Sequence, residues 1–181
     1  MTQGISRFAD IAAIEAKGFP QDLPSSTYEL LQQGAAINPQ APALSFFLTT
    51  DQHDRPTTWT YADLLHDVTR TANAFSRLGA TKDTVIAFVL PNLPETHFVV
   101  WGGQAAGTVF AINPLLEGSA IAELIEASGA SILVTLAPFP GTDLWPKLQA
   151  VLPRLSKLQH LVLVGLADRV PGLKRFAAAV V

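Results

Sequence analysis

The sequence predicts an α/β protein, with an open, mostly parallel sheet carrying helices on both faces, preceded by an N-terminal helix and a β-hairpin. Three observations predict it. Short apolar runs rich in β-branched residues recur at "TVIAFVL" (84–90), "TVFAI" (108–112), "SILVT" (131–135) and "HLVLVG" (160–165), as in strands covered on both faces. Stretches with helical spacing separate these runs, and a repeated strand–helix–strand order implies right-handed parallel crossovers. Turn-forming residues, among them Pro91, Asn113-Pro114 and Ser128-Gly129, mark the joins.

Each element has its own local reason. Residues 25–38, "SSTYELLQQGAAIN", read as a helix with a hydroxyl cap, stopped by Asn38-Pro39. "ALSFFLTT" (43–50) and "RPTTWT" (55–60), joined by the polar "DQHD", suggest the hairpin. Thr60 stands three residues before Asp63, as in a capping box, and Leu64, Leu65, Val68, Ala72, Phe75 and Leu78 then share one helical face up to Gly79. After the first parallel strand, Asn92 is placed to cap a helix with Pro94 in its first turn and Glu95 near the positive end of its dipole.

That helix takes in "WGGQAAGT" (101–108), which has the outline of a phosphate-cradling loop but no Lys to meet the phosphates. Glycines inside a helix cost about 1 kcal/mol each relative to Ala, so Gly102 and Gly103 signal the close approach of a neighbour, expected to be the sheet. Ser119 is expected to open the next helix with Ile121, Leu124 and Ile125 inward, and "TDLWPKLQAVL" (142–152) to form another, stopped by Pro153. "LKRFAAAVV" (173–181) has a helical apolar pattern that runs out without a cap or a polar tail, so the chain reads as cut.

Composition narrows the function classes. With 181 residues, 49% hydrophobic and 15% charged, the chain is long enough for a buried core and is not disordered. Its mean hydropathy of +0.29 is high for such a chain. A net charge of −3 and only 12 Lys plus Arg supply no basic face for nucleic acid or anionic lipid. The absence of cysteine excludes disulfides, thiolate metal ligands and a Cys nucleophile, and the N-terminus lacks the basic and apolar regions of a secretory signal, which together suggest the cytoplasm. Residues 96–116 contain no Asp, Glu, Lys or Arg, yet three glycines, Gln104 and Asn113-Pro114 divide them into pieces too short to cross a bilayer.

Searches for chemistry return mostly exclusions. His53, His66, His97 and His160 never fall at metal-ligand spacing, Gly118-Ser119 lacks the second Gly of a nucleophile elbow, and Glu123 with Glu126 reads as a wetted helix face. No G-x-G-x-x-G follows a strand, which disfavours a nicotinamide oxidoreductase. In open parallel sheets, ligands gather beyond the carboxyl ends of the strands, where "PNLPE" and "NPLLE" both fall.

Residues 58–135 carry a resemblance. Thr60-Tyr61 opening a helix that ends at Leu78-Gly79, Leu90-Pro91-Asn92 with Glu95, Gly107 leading to Asn113-Pro114, and Ser128-Gly129-Ala130 before a strand stand in the order and spacing of the ATP-dependent, adenylate-forming acyl-coenzyme A synthetases. The resemblance covers about residues 25–165, with Lys82-Asp83 and Ala127-Ser128 standing where that family often has Gly-Asp and Asp-Ser. It implies a first subdomain at 25–165, an extension at 1–24 and the start of the next segment at 166–181. It also implies a parent enzyme that uses ATP, CoA and Mg²⁺ to join a carboxylic acid to CoA through an acyl-adenylate, as in fatty acid metabolism, with fatty, aromatic and short acids all open.

The family's Gly-rich phosphate loop and its domain with the catalytic Lys have no counterpart here, so the resemblance implies no catalytic residue, no bound cofactor and no independent activity for these residues alone. The implied partner is the remainder of the chain. By the same resemblance, Asn113, Pro114 and Leu115 are wall residues of the CoA and acyl channel. The alternative from another class is a free-standing α/β module that binds a small molecule or a protein at the strand-end crevice.

Overall fold

The computed structural model describes residues 5–19 and 22–169. The helical pattern expected at 173–181 lies outside them. In chain order the elements are helix α1 (Phe8–Glu15), α2 (Thr27–Ile37), strands β1 (Pro42–Phe46) and β2 (Thr57–Thr60), α3 (Tyr61–Arg77), β3 (Val85–Val89), α4 (Pro94–Ala106), β4 (Thr108–Ala111), α5 (Gly118–Ser128), β5 (Ile132–Leu136), α6 (Leu144–Val151) and β6 (His160–Val164). No described helix is long and apolar enough to cross a membrane.

The four apolar runs form one parallel sheet in the order β4-β3-β5-β6, so the chain crosses from β3 to β4 and returns past β3 to β5 and β6. Right-handed crossovers then put α4 on one face and α5 with α6 on the other, with α3 packed against α4. Every residue of β5 is buried, and β3 is buried from Ile86 onward, as continuous apolar runs in a two-sided layer require.

β1 and β2 pair antiparallel with Leu44 opposite Trp59 and Phe46 opposite Thr57. The strands stop earlier than the apolar pattern suggests. A 3₁₀ turn at Thr50–Gln52 takes up the intervening chain, with the His53 Nδ1 2.9 Å from the Thr50 carbonyl oxygen. α1 is an element the sequence reading lacks, and its start is tied by the Ser6 and Arg7 N–H groups donating to Asp10 Oδ2 at 3.1 and 2.9 Å.

α3 begins as its sequence predicts. The Thr60 hydroxyl and N–H donate to Asp63 Oδ2 at 2.7 and 3.0 Å, and the Asp63 N–H donates back to Thr60 Oγ1 at 3.2 Å. The hydroxyl and amide of Thr60 hold the Asp63 carboxyl below its ordinary value. A depressed carboxyl stabilises the fold fully above the ordinary value of 3.8 and loses that contribution as pH falls through the lower native value. Thr60→Ala is therefore expected to cost about 1 kcal/mol in urea unfolding at neutral pH. It should also return the Asp63 carboxyl resonance toward an ordinary titration.

Two expected caps differ. α4 is entered through Leu93, not capped by Asn92, because Pro94 at the first helical position forces the preceding residue into extended backbone. Thr96 does the capping work instead, accepting the Leu93 N–H at 3.3 Å and donating to the Pro91 carbonyl at 2.7 Å. α5 starts one residue before Ser119, at Gly118, and no side chain caps it. A Cβ at Gly118 would stand 2.9 Å from the Lys147 carbonyl, so the close approach of α6 sets that entry.

The paired glycines serve two neighbours. A Cβ at Gly103 would meet Val109 Cγ2 at 2.5 Å, the expected approach to the sheet, whereas one at Gly102 would meet the Val68 carbonyl of α3 at 2.7 Å. Adjacent residues on a helix point about 100° apart, so one glycine admits the sheet and the other admits α3.

Candidate functional site

The parallel strands deliver four connections to one edge of the sheet, and they differ in what they offer. After β4, Asn113 Oδ1 accepts the Leu115 N–H at 2.9 Å and the Asn113 carbonyl accepts the Leu116 N–H at 3.3 Å. This is an Asx turn, in which a short amide side chain substitutes for backbone. It leaves Asn113 exposed, Pro114 half-buried and Leu115 83% exposed. The three residues form an outward rim, separate from the two larger cavities described below.

After β5, the loop enters α6 beside Asp143 and Lys147, whose carboxylate and ammonium stand 2.9 Å apart. The hydrogen bond from Lys147 holds the Asp143 carboxyl below its ordinary value, and the same bond raises Lys147. After β3 and β6, the connections meet. Glu95, in the first turn of α4, forms an ion pair with Arg169 at the end of the chain leaving β6. The Arg169 guanidinium also lies 5.7 Å from the ring centre of Phe46 and 5.5 Å from that of Trp59. Trp59 is itself fixed, donating Nε1–H to Asp67 at 3.2 Å and meeting Phe98 edge-on at 6.1 Å.

The Glu95–Arg169 pair divides two cavities. On one side is a crevice of about 760 Å³ between the hairpin loop and Arg169, lined by Phe47, Asp51, Gln52 and Arg55 among others. On the other is a groove of about 670 Å³ between α3, α4 and the sheet, where Val134, Val162 and Val164 face Phe75, Phe98 and Val99. Glu95 Oε2 is buried without a hydrogen-bond partner. Sequence reasoning missed this junction, because Glu95 and Arg169 are 74 residues apart and nothing local to either signals the other.

At this edge Lys147 and Arg169 are each paired with a carboxylate of the same chain. Among the described residues, no group of three or more His, Cys, Asp and Glu could hold a metal ion. Gly102 and Gly103 are buried inside α4, so "WGGQAAGT" is not an anion-wrapping loop.

Comparison with known proteins agrees with the architecture. The chain is 31% identical over 162 residues to marinolic acid–CoA ligase from Pseudoalteromonas sp., a match covering 89% of this chain and 25% of that protein. It is 40% identical over 77 residues to 4-coumarate–CoA ligase-like 1 from Arabidopsis thaliana, covering 42% of this chain and 14% of the relative. It thus spans a quarter or less of the length of these curated relatives. Among solved structures, the N-terminal domain of FACL13 from Mycobacterium tuberculosis superposes with a TM-score of 0.65 at 20% identity, covering 80% of this chain and 35% of that one, a likeness of fold. The model of the family described as AMP-binding enzyme matches residues 31–178, most of the chain, and the protein therefore belongs to that family.

Proposed function

We propose that residues 25–165 supply the first α/β subdomain of an AMP-forming acid–CoA ligase, that 1–24 extend it, and that 166–181 lead into the next segment. In that reaction a carboxylate attacks the α-phosphorus of ATP, diphosphate leaves, and the CoA thiol then displaces AMP to give the thioester. The observation that carries the reading is the family match over residues 31–178, joined to a 31% identical relative named as a CoA ligase. The matched carboxylate and cation at the strand-end edge support a role in scaffolding for this piece, with the phosphate-neutralising groups contributed by other parts of a longer polypeptide acting in the cytoplasm.

Within that enzyme, Asn113, Pro114 and Leu115 would form part of the wall of the channel for CoA and the acyl group. The Asx turn holds the rim in one conformation, and the exposed Leu115 offers an apolar surface to such a chain. The test is carboxylate-dependent exchange of labelled diphosphate into ATP across a panel of fatty, aromatic and short acids. Exchange is expected from the product of the extended reading frame and not from residues 1–181 alone. Exchange by neither, or binding of an acid by the 181-residue chain with no exchange by the longer one, would reject the ligase reading.

A further inference from the structure

Phe46, Trp59 and Glu95 clamp the guanidinium of Arg169, and the four side chains divide into a fixed receptor and a movable cation. The receptor is built into secondary structure. Phe46 ends β1 in register with Thr57, Trp59 lies on β2 with its indole tied to Asp67 and edge-on to Phe98, and Glu95 sits in the first turn of α4. The cation comes from a single 3₁₀ turn, Ala167–Arg169, beyond the buried Leu166. Its guanidinium carbon stands 5.7 Å from the Phe46 ring centre and 5.5 Å from that of Trp59, inside the range of about 6 Å over which ring faces attract cations.

Arg169 fills this box incompletely. Arginine and carboxylate frequently pair through two parallel N–H···O bonds, whereas Arg169 engages Glu95 Oε1 and leaves Oε2 buried without a hydrogen-bond partner. A guanidinium that is not anchored to this backbone has donors for both oxygens. The nearby Asp67 carboxylate already accepts the Trp59 N–H and has Arg70 3.7 Å away, so Glu95 is the charge that selects the occupant. Withdrawing Arg169 with no replacement would strand a carboxylate that has one oxygen out of water, and that is costly. The exchange therefore demands another cation. The crevice of about 760 Å³ that opens on Glu95 and Arg169 has the size of a small-molecule site and provides the route.

We infer that the Phe46–Trp59–Glu95 box is a receptor for a small guanidinium compound entering from this crevice, and that Arg169 is its built-in occupant. The assignment rests on these four side chains and not on the ligase reading, and its test reads binding rather than turnover.

The probe is methylguanidinium, with methylurea, neutral and of the same shape, as its control. In the 181-residue Arg169→Ala protein, methylguanidinium far below denaturing concentrations should shift the Trp59 indole N–H resonance saturably. That signal is told apart from those of Trp101 and Trp145 by its loss in Trp59→Phe. Methylurea should leave it in place. In the same background, Glu95→Gln is expected to weaken binding at least about tenfold, as for loss of a charged hydrogen-bond acceptor. Phe46→Leu should weaken it about 2–5-fold, the worth of one cation–ring contact. If circular dichroism shows that Arg169→Ala does not fold, the unaltered chain decides: methylguanidinium should then displace Arg169 and move its Nε–H resonance toward that of a free guanidinium. Equal shifts from the two probes, binding undiminished by Glu95→Gln, or no saturable binding would overturn the assignment.

Discussion

Gly102→Val is expected to destabilise the protein by about 3 kcal/mol, the upper part of the range for overpacked sites, and to lower Tm by about 6–12 °C for a chain of this size. The reason is what a Cβ at that position would touch. It would lie 2.7 Å from the Val68 carbonyl oxygen, 2.8 Å from Thr71 Cβ and 3.0 Å from the Ala72 N, all on α3. Two of these atoms are backbone and cannot rotate away, and Val68 is 0% exposed, so α3 has no free space to retreat into. Removing a helical glycine returns only about 0.5 kcal/mol of propensity, which cannot offset a displaced helix. Gly34 in α2 is the control: a Cβ there meets nothing within 4 Å. Gly34→Ala should therefore raise stability by about 0.5–1 kcal/mol. Thermal unfolding followed by circular dichroism measures both, and equal effects at the two glycines would refute the tight α3–α4 contact.

The contrast between those glycines marks how far the sequence could be read. Its composition said that a neighbour comes close to α4, but not that two neighbours do, because the partner of Gly102 depends on how α3 crosses α4 in space. The parallel strands were legible because a strand buried on both faces must be apolar at every position, and Ile132–Leu136 obeys that rule throughout. The α3 cap was legible because Thr60 and Asp63 are three residues apart and need no distant partner. Asn92 was misassigned as a cap because the restriction imposed by Pro94 on Leu93 outweighs Asn's preference for capping. The Arg169 clamp was illegible for a deeper reason. Phe46, Trp59, Glu95 and Arg169 come from four separate parts of the chain, and only the completed sheet brings them together. At the candidate site, the turn at Asn113 was readable from its residue types, whereas the cavities behind the strand ends were not, since their walls are made by elements distant in sequence.

Leu133→Ala is expected to cost about 3–4 kcal/mol, well within the range for leucines removed from rigid cores. Leu133 is 0% exposed at the centre of β5, with Ala87 of β3 and Leu161 of β6 as its register neighbours. Alternation along the strand puts it on the face opposite Val134, and therefore beneath α5 and α6. Ala87 is too small to swing into the vacated space, and strands hydrogen-bonded on both sides of β5 cannot close up around it. The lost volume would remain as a cavity. Leu163, 45% exposed on the open edge strand β6, provides the comparison. Truncating it should cost less than about 1 kcal/mol, because little apolar surface is withdrawn from water there. In urea titrations, Leu133→Ala should shift the midpoint strongly with an unchanged m value, since the same surface is exposed on unfolding. A similar small shift for both leucines would mean that the β5 layer is not the closed two-sided core on which the positions of every strand-end loop depend.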